Sequence, residues 1–269
     1  MKKISNRIVV IKVGTSTLTK KNHKGELELD SESFDRIGNQ VTVLRKGGYS
    51  VAIVSSAAIT AGMMVTHLTK RPSNDEVSMP TLQGLASIGW RHVLNMWSAS
   101  LGDAIAGELL ITRHELELDS ERSELLKVSH NLMVNDYVPI INENDAVTHE
   151  QIAFGDNDTL AATYAAKLKQ SELFGDDVSL IVLSDIDGVY ENIDDPKTLI
   201  SRIEDIDAYE HFASGVVGGV GVGTGGMSTK FAAARISKKS GVTMYIANGR
   251  RDEILLSTIN GETGTRFDI

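Results

Sequence analysis

The chain alternates short apolar runs with longer stretches in which apolar residues recur at helical spacing. Runs rich in Val and Ile occur at RIVVIKV (7–13), SVAIVSS (50–56), AIAGELLIT (104–112), YVPIIN (137–142), VSLIVLS (178–184) and VTMYIA (242–247), and they predict strands. Most lack strict polar alternation. Strands buried on both faces have this pattern, which predicts a mostly parallel sheet covered by helices on each side. Helical segments lie between them: SESFDRIGNQVTVLRKGG (31–48), RSELLKVSHNLMVND (122–136), DTLAATYAAKLKQ (158–170) and MSTKFAAARISKKSG (227–241). The first and last close on glycine, a common helix stop. No repeat of fixed period and no low-complexity linker interrupts the β-α alternation. The expected fold class is α/β, a three-layer αβα sandwich with a mostly parallel central sheet, in one domain covering residues 1–269.

Composition narrows the function classes. A hydrophobic content of 41% over 269 residues suffices for one large core. The formal net charge of -9 opposes a polyphosphate backbone, so no nucleic-acid partner is expected. The absence of cysteine excludes a disulfide framework, a thiolate nucleophile and a Cys-ligated zinc site. The N-terminus is basic, but its apolar stretch before Lys12 is short and no small-residue cleavage site follows. No apolar run approaches the roughly 18 residues of a membrane span. The expectation is a cytoplasmic protein with no membrane partner.

In an open α/β sheet the ligand crevice lies beyond the carboxyl ends of the strands. The segments that follow the predicted strands there include KVGTSTLT (12–19), SSAAITAG (55–62), NENDAV (142–147) and SDIDGVY (184–190). Lys12, inside an apolar run and followed by Gly14 and three hydroxyl residues, fits a phosphate site; it also fits a strand-end lysine reaching for solvent. In GVVGGVGVGTGGMSTK (215–230), seven glycines fall within residues 215–226, just before a helical segment carrying Lys230. That arrangement suits close backbone approach to phosphate at a helix N-terminus, against the alternative of a ligand-free glycine loop. Gly221, Gly223 and Gly226 match G-x-G-x-x-G formally, but no strand precedes them and position 246 is isoleucine, so a dinucleotide fingerprint is rejected. No G-K-[ST] triplet occurs, which excludes a Walker loop.

The stretch INENDAVTHEQIAFGDND (141–158) holds five carboxylates and three asparagines without a lysine or arginine. It fits either a hard-cation site or recognition of a zwitterion, and the asparagines favour the second. Asp156 and Asp158 also stand where helix N-caps occur. The seven histidines are scattered, none in metal-ligand spacing, and are read as structural or solvated.

KVGTS, SSAAITAG, INENDAV, FGDND, SDIDGVY followed by DDP, and GTGGMSTK occur in one order along essentially the whole chain. Together they resemble the amino acid kinase family, and within it the members that phosphorylate the γ-carboxylate of glutamate. There are two departures. Ala57 stands where the family pattern usually has glycine, and no counterpart is seen of the C-terminal PUA domain that many relatives carry. The resemblance implies the amino acid kinase fold, with the N-terminal part mainly substrate-binding and the C-terminal part mainly ATP-binding. It implies Lys12 and Lys230 as clamps on the transferred phosphoryl group and Asp158 as the residue that holds them. Ser56, Asp145 and Asn157 match glutamate-binding positions, with Asn142 as a helper. Lys12, Ser184, Asp185, Thr224, Gly225, Gly226, Met227, Ser228, Thr229 and Lys230 match nucleotide-binding positions.

ATP and L-glutamate are the implied substrates, with Mg2+ bridging the ATP phosphates without a dedicated protein cage. The resemblance further implies the first step of proline biosynthesis, feedback inhibition by proline, a homodimer or homotetramer, and coupling to a glutamyl phosphate reductase. A kinase of the same fold acting on acetylglutamate, carbamate or a nucleoside monophosphate is the second reading. A non-catalytic amino-acid sensor is the third; two phosphate-clamping lysines argue against it.

Overall fold

A computed structural model describes residues 4–69, 79–148, 156–209 and 226–269. The first half contains β1 (Arg7–Val13), α1 (Thr15–Leu18), β2 (Thr19–Lys21), β3 (Leu27–Leu29), α2 (Ser31–Lys46), β4 (Ser50–Ser55), α3 (Ala58–Val65) and α4 (Met79–Ser100). It continues with β5 (Ala106–Ile111), α5 (Arg113–Glu117), α6 (Asp119–Val134) and β6 (Val138–Glu143). The second half contains α7 (Asn157–Gln170), β7 (Asp177–Ser184), β8 (Val189–Tyr190), β9 (Leu199–Ile200) and β10 (Arg202–Ile203). It ends with α8 (Met227–Lys239), β11 (Thr243–Asn248), α9 (Ile254–Ile259) and β12 (Thr265–Phe267).

Eight strands form the central sheet in the order β10-β12-β11-β7-β1-β4-β6-β5. Every pairing in it is parallel except β11 with β12. All six strands read from the apolar runs are present, with ends shifted by at most two residues. Two apolar clusters cover the faces. Ile8 and Val10 of β1 pack with Leu126, Leu160, Tyr164 and Phe231, which come from α6, α7 and α8. Val9, Ile11 and Val13 pack with Phe34, Ala61, Trp97 and Leu255, from α2, α3, α4 and α9. The three-layer αβα expectation therefore holds.

The helix pair α3 and α4 was not among the predicted elements. They cross almost backbone to backbone: a Cβ on Gly62 would sit 1.9 Å from the Leu85 carbonyl oxygen, and one on Gly89 would sit 2.0 Å from that of Ala58. Glycine is thus a packing requirement of this crossing, at a cost in helix propensity. Among the described residues no helix is long and apolar enough to cross a membrane.

Candidate active site

β1 lies mid-sheet, with β4 on one side and β7 on the other. Side chains alternate along a strand, so the parity that sends Ile8 and Val10 towards α7 and α8 sends Lys12 there too. Lys12 is buried at 6% exposure and does not run out to solvent, which removes the surface reading of this residue. Its Nζ lies 2.7 Å from Asp158 Oδ1. Lys230 Nζ, from the first turn of α8, lies 3.3 Å from Asp158 Oδ2, and Thr229 Oγ1 donates to the same oxygen at 2.8 Å. Burial alone would raise the Asp158 carboxyl; the charges of Lys12 and Lys230, with hydrogen bonds from Lys12 and Thr229, bring it down to about 2. Two ammonium groups against one carboxylate leave one net positive charge at the end of the central strand.

Gly226 is the N-cap of α8, and its carbonyl oxygen lies 2.8 Å from Thr229 Oγ1, which shares its single proton between that oxygen and Asp158. Ser228 is exposed beside it, while Met227 is half-buried against the core. Thr224 and Gly225, with the rest of the glycine run from 215, lie outside the described residues. So do residues 149–155 of the acidic stretch.

Ser56, Asn142, Asp145 and Asn157 form one hydrogen-bonded set. Asn157, the first residue of α7, shares the two protons of Nδ2 among Asn142 Oδ1 at 3.0 Å, Ser56 Oγ at 3.0 Å and the Ser55 carbonyl at 3.1 Å. Asn142 Nδ2 in turn donates to Asp145 Oδ2 at 3.4 Å. Burial pushes the Asp145 carboxyl up to about 6, and the Asn142 amide only partly offsets it. Asp156, rather than Asp158, is the helix cap: its side chain accepts from Thr159 N at 2.8 Å.

Across β1, Ser184 ends β7 and its hydroxyl donates to Asp185 Oδ1 at 3.2 Å. Sequence reasoning missed the loop that follows β11. Gly249 N donates to the Ser184 carbonyl at 2.9 Å, Asn248 and Arg251 both donate to Asp187, and Arg250 reaches the Ser16 carbonyl. Its signal in the sequence is the polar segment NGRR (248–251) directly after the sixth apolar run. Burial works against Asp187, but hydrogen bonds from Asn248 and Tyr190 and the Arg251 charge hold its carboxyl below the usual range.

Among the described residues, groups close enough to share a metal ion occur at His114, Glu115 and Glu121. Glu115 is occupied there in a capping box with Thr112, and His114 pairs with Glu121 at 2.7 Å. These are ordinary structural roles.

Residues 7–248 match the model of the amino acid kinase family. The chain is 39% identical over 270 residues to a glutamate 5-kinase of Caldanaerobacter subterraneus subsp. tengcongensis, covering 96% of this chain and 67% of that one. It is 36% identical to a glutamate 5-kinase of Clostridium acetobutylicum, covering 97% and 94%. Among solved structures, carbamate kinase from Giardia lamblia bound to AMP-PNP superposes with a TM-score of 0.66 at 17% identity, over 100% of this chain and 99% of that one. At that identity the likeness speaks for the fold alone.

Proposed function

The chain belongs to the amino acid kinase family, and from that premise we propose that it transfers the γ-phosphoryl group of ATP to the γ-carboxylate of L-glutamate. The product is L-glutamyl 5-phosphate, and the reaction is the first step of proline biosynthesis from glutamate. The observation that carries this reading is the pair at the start of α7: Asn157 joins the Ser56, Asn142 and Asp145 set, while Asp158 joins Lys12 and Lys230.

The acceptor carboxylate is ionised at neutral pH and needs no general base. The obstacle is its repulsion by the polyphosphate. Asp145 receives the α-ammonium group; the hydroxyl and amide groups of Ser56, Asn142 and Asn157 orient the rest of the substrate. Lys12 and Lys230 neutralise charge on the transferred group as it passes between the two oxygens. The N-terminus of α8 adds oriented N–H groups, and Ser184 and Asp185 contact the nucleotide. Thr224 and Gly225 belong to the same nucleotide segment by family pattern.

Magnesium accompanies ATP in this reading. Asp158 is fully buried and held by both lysines and Thr229, so it is not a free ligand. The ion would be held by the ATP phosphates and would supply charge neutralisation there, beside Lys12 and Lys230. The acyl phosphate product is labile, which suits direct use by a glutamyl phosphate reductase. Proline as a feedback inhibitor at the acceptor site, a homodimer or homotetramer, and a cytoplasmic location complete the reading.

An ATP-dependent hydroxamate assay with glutamate, N-acetylglutamate and aspartate tests it. Glutamate should react far faster than the others, because an N-acetyl group leaves Asp145 buried without its cation. Equal or better turnover of N-acetylglutamate would overturn the substrate assignment.

A further inference from the structure

The residue that fixes the acceptor loop lies in the opposite helical layer from Asn157. Ser55 ends β4, fully buried, and its hydroxyl accepts the indole Nε1–H of Trp97 at 2.8 Å. An indole nitrogen only donates. The Ser55 proton is therefore directed elsewhere, and the hydroxyl donates to the Ser56 carbonyl at 3.2 Å. That carbonyl belongs to the peptide leading into Ala57, which has φ 79° and ψ 6°. For a residue with a Cβ this left-handed conformation persists only where surrounding contacts hold it. On the other side, Asn157 binds both the Ser55 carbonyl and the Ser56 hydroxyl. Trp97 is itself fixed: it is fully buried in α4 and meets Phe34 edge to face, with ring centroids 4.7 Å apart.

We propose that Trp97 is a positioning residue of the acceptor site, setting through Ser55 the orientation of the Ser56 peptide and hydroxyl. The proposal rests on reading that site as the glutamate pocket. The indole acts at one remove. With it in place the Ser55 hydroxyl has one direction to donate; without it the hydroxyl rotates and the Ser56 carbonyl loses its restraint.

The test is steady-state kinetics of Trp97→Phe, Ser55→Ala and the double variant. Phenylalanine retains a ring against Phe34 and removes only the N–H and part of the ring area. The KM for glutamate should rise about fivefold or more in each single variant, with the KM for ATP within about twofold of the parent. The double variant should be no worse than Ser55→Ala, because both changes break one chain of contacts. A purely structural role for Trp97 would lower the melting temperature without this split between substrates. An unchanged glutamate KM, an equal rise in both KM values, or additive losses in the double variant would overturn the proposal. If Trp97→Phe does not fold, Trp97→Leu, which also lacks the N–H, takes its place, and the proposal stands only if it shows the same split between substrates as Ser55→Ala. Parent enzyme that does not phosphorylate glutamate refutes the functional reading instead, so the two failures are distinguishable.

Discussion

Replacing Asp158 with asparagine removes one charge and leaves the side chain's shape nearly unchanged. The carboxylate is fully buried, and the side chains of Lys12 and Lys230 are 8% and 7% exposed. Removing one partner of a buried ion pair costs about 3–5 kcal/mol, because the remaining charge is left uncompensated. The same two lysines also hold the Asp158 carboxyl below its ordinary range. Its carboxyl falls from the ordinary 3.8 to about 2, which corresponds to about 2 kcal/mol of stability. That stability is fully present above pH 4 and is lost as pH falls towards 2. Taking about 3 kcal/mol, a domain of this size should melt about 6–12 °C lower. The variant's two lysines then face each other with no anion between them, so ATP, whose phosphates supply one, should raise its melting temperature more than it raises the parent's. Turnover should fall about 100-fold, since the lysines lose their positions rather than their charges. Differential scanning fluorimetry with and without ATP, together with kcat, reads all of this. A variant that melts within about 2 °C of the parent and turns over normally would refute the role given to Asp158.

Lys230→Ala should lower kcat by about 10³-fold or more with a modest effect on folding, checked by single-turnover phosphoryl transfer and circular dichroism; near-normal turnover removes Lys230 from the chemistry. Asp145→Ala should chiefly raise the KM for glutamate. Because the Asp145 carboxyl sits at about 6 and must be ionised to hold an ammonium group, the parent's glutamate KM should rise about tenfold between pH 7 and 5, a slope that Asp145→Asn abolishes. The free protein should move the other way: a raised carboxylate pKa means that stability increases as pH falls through 6 towards 4. At Ala57, relief of left-handed strain of about 1 kcal/mol is offset by the loss of a buried methyl worth about 0.8 kcal/mol and by the greater freedom of unfolded glycine. Ala57→Gly should therefore change stability by less than about 1 kcal/mol, whereas Ala57→Val, β-branched at positive φ, should cost about 2 kcal/mol or more in urea unfolding.

The central strands were legible because β1, β4, β6 and β7 are apolar on both faces, and no local feature competes with that signal. The pair α3 and α4 was not. Pro80, Gly84 and Gly89 lower the apparent helicity of residues 79–100, and the reason for Gly89, a carbonyl 2.0 Å from where its Cβ would be, belongs to another helix. β12, between β10 and β11, is three residues and too short to show a period. In the site, family pattern points to Lys12, while the residues alone leave it divided between clamp and surface lysine; its burial beside Asp158 removes the surface reading. Ser55 and Trp97 looked like ordinary core residues. Their hydrogen bond spans 42 positions, and no spacing rule reaches that far.

The position of α7 gives the two halves of the site a common origin. Asp156 caps the helix, so its first turn has a fixed start, and successive helical residues point about 100° apart. Asn157 is thereby directed to the ends of β4 and β6, and Asp158 to the lysines on β1 and α8. On the proposed reading, the separation of the acceptor carboxylate from the transferred phosphoryl group follows from two adjacent residues in one turn, Asn157 and Asp158. In-line transfer between two anions tolerates little error in that separation. A pair of neighbours in a capped helix is among the shortest covalent routes by which a protein can hold it.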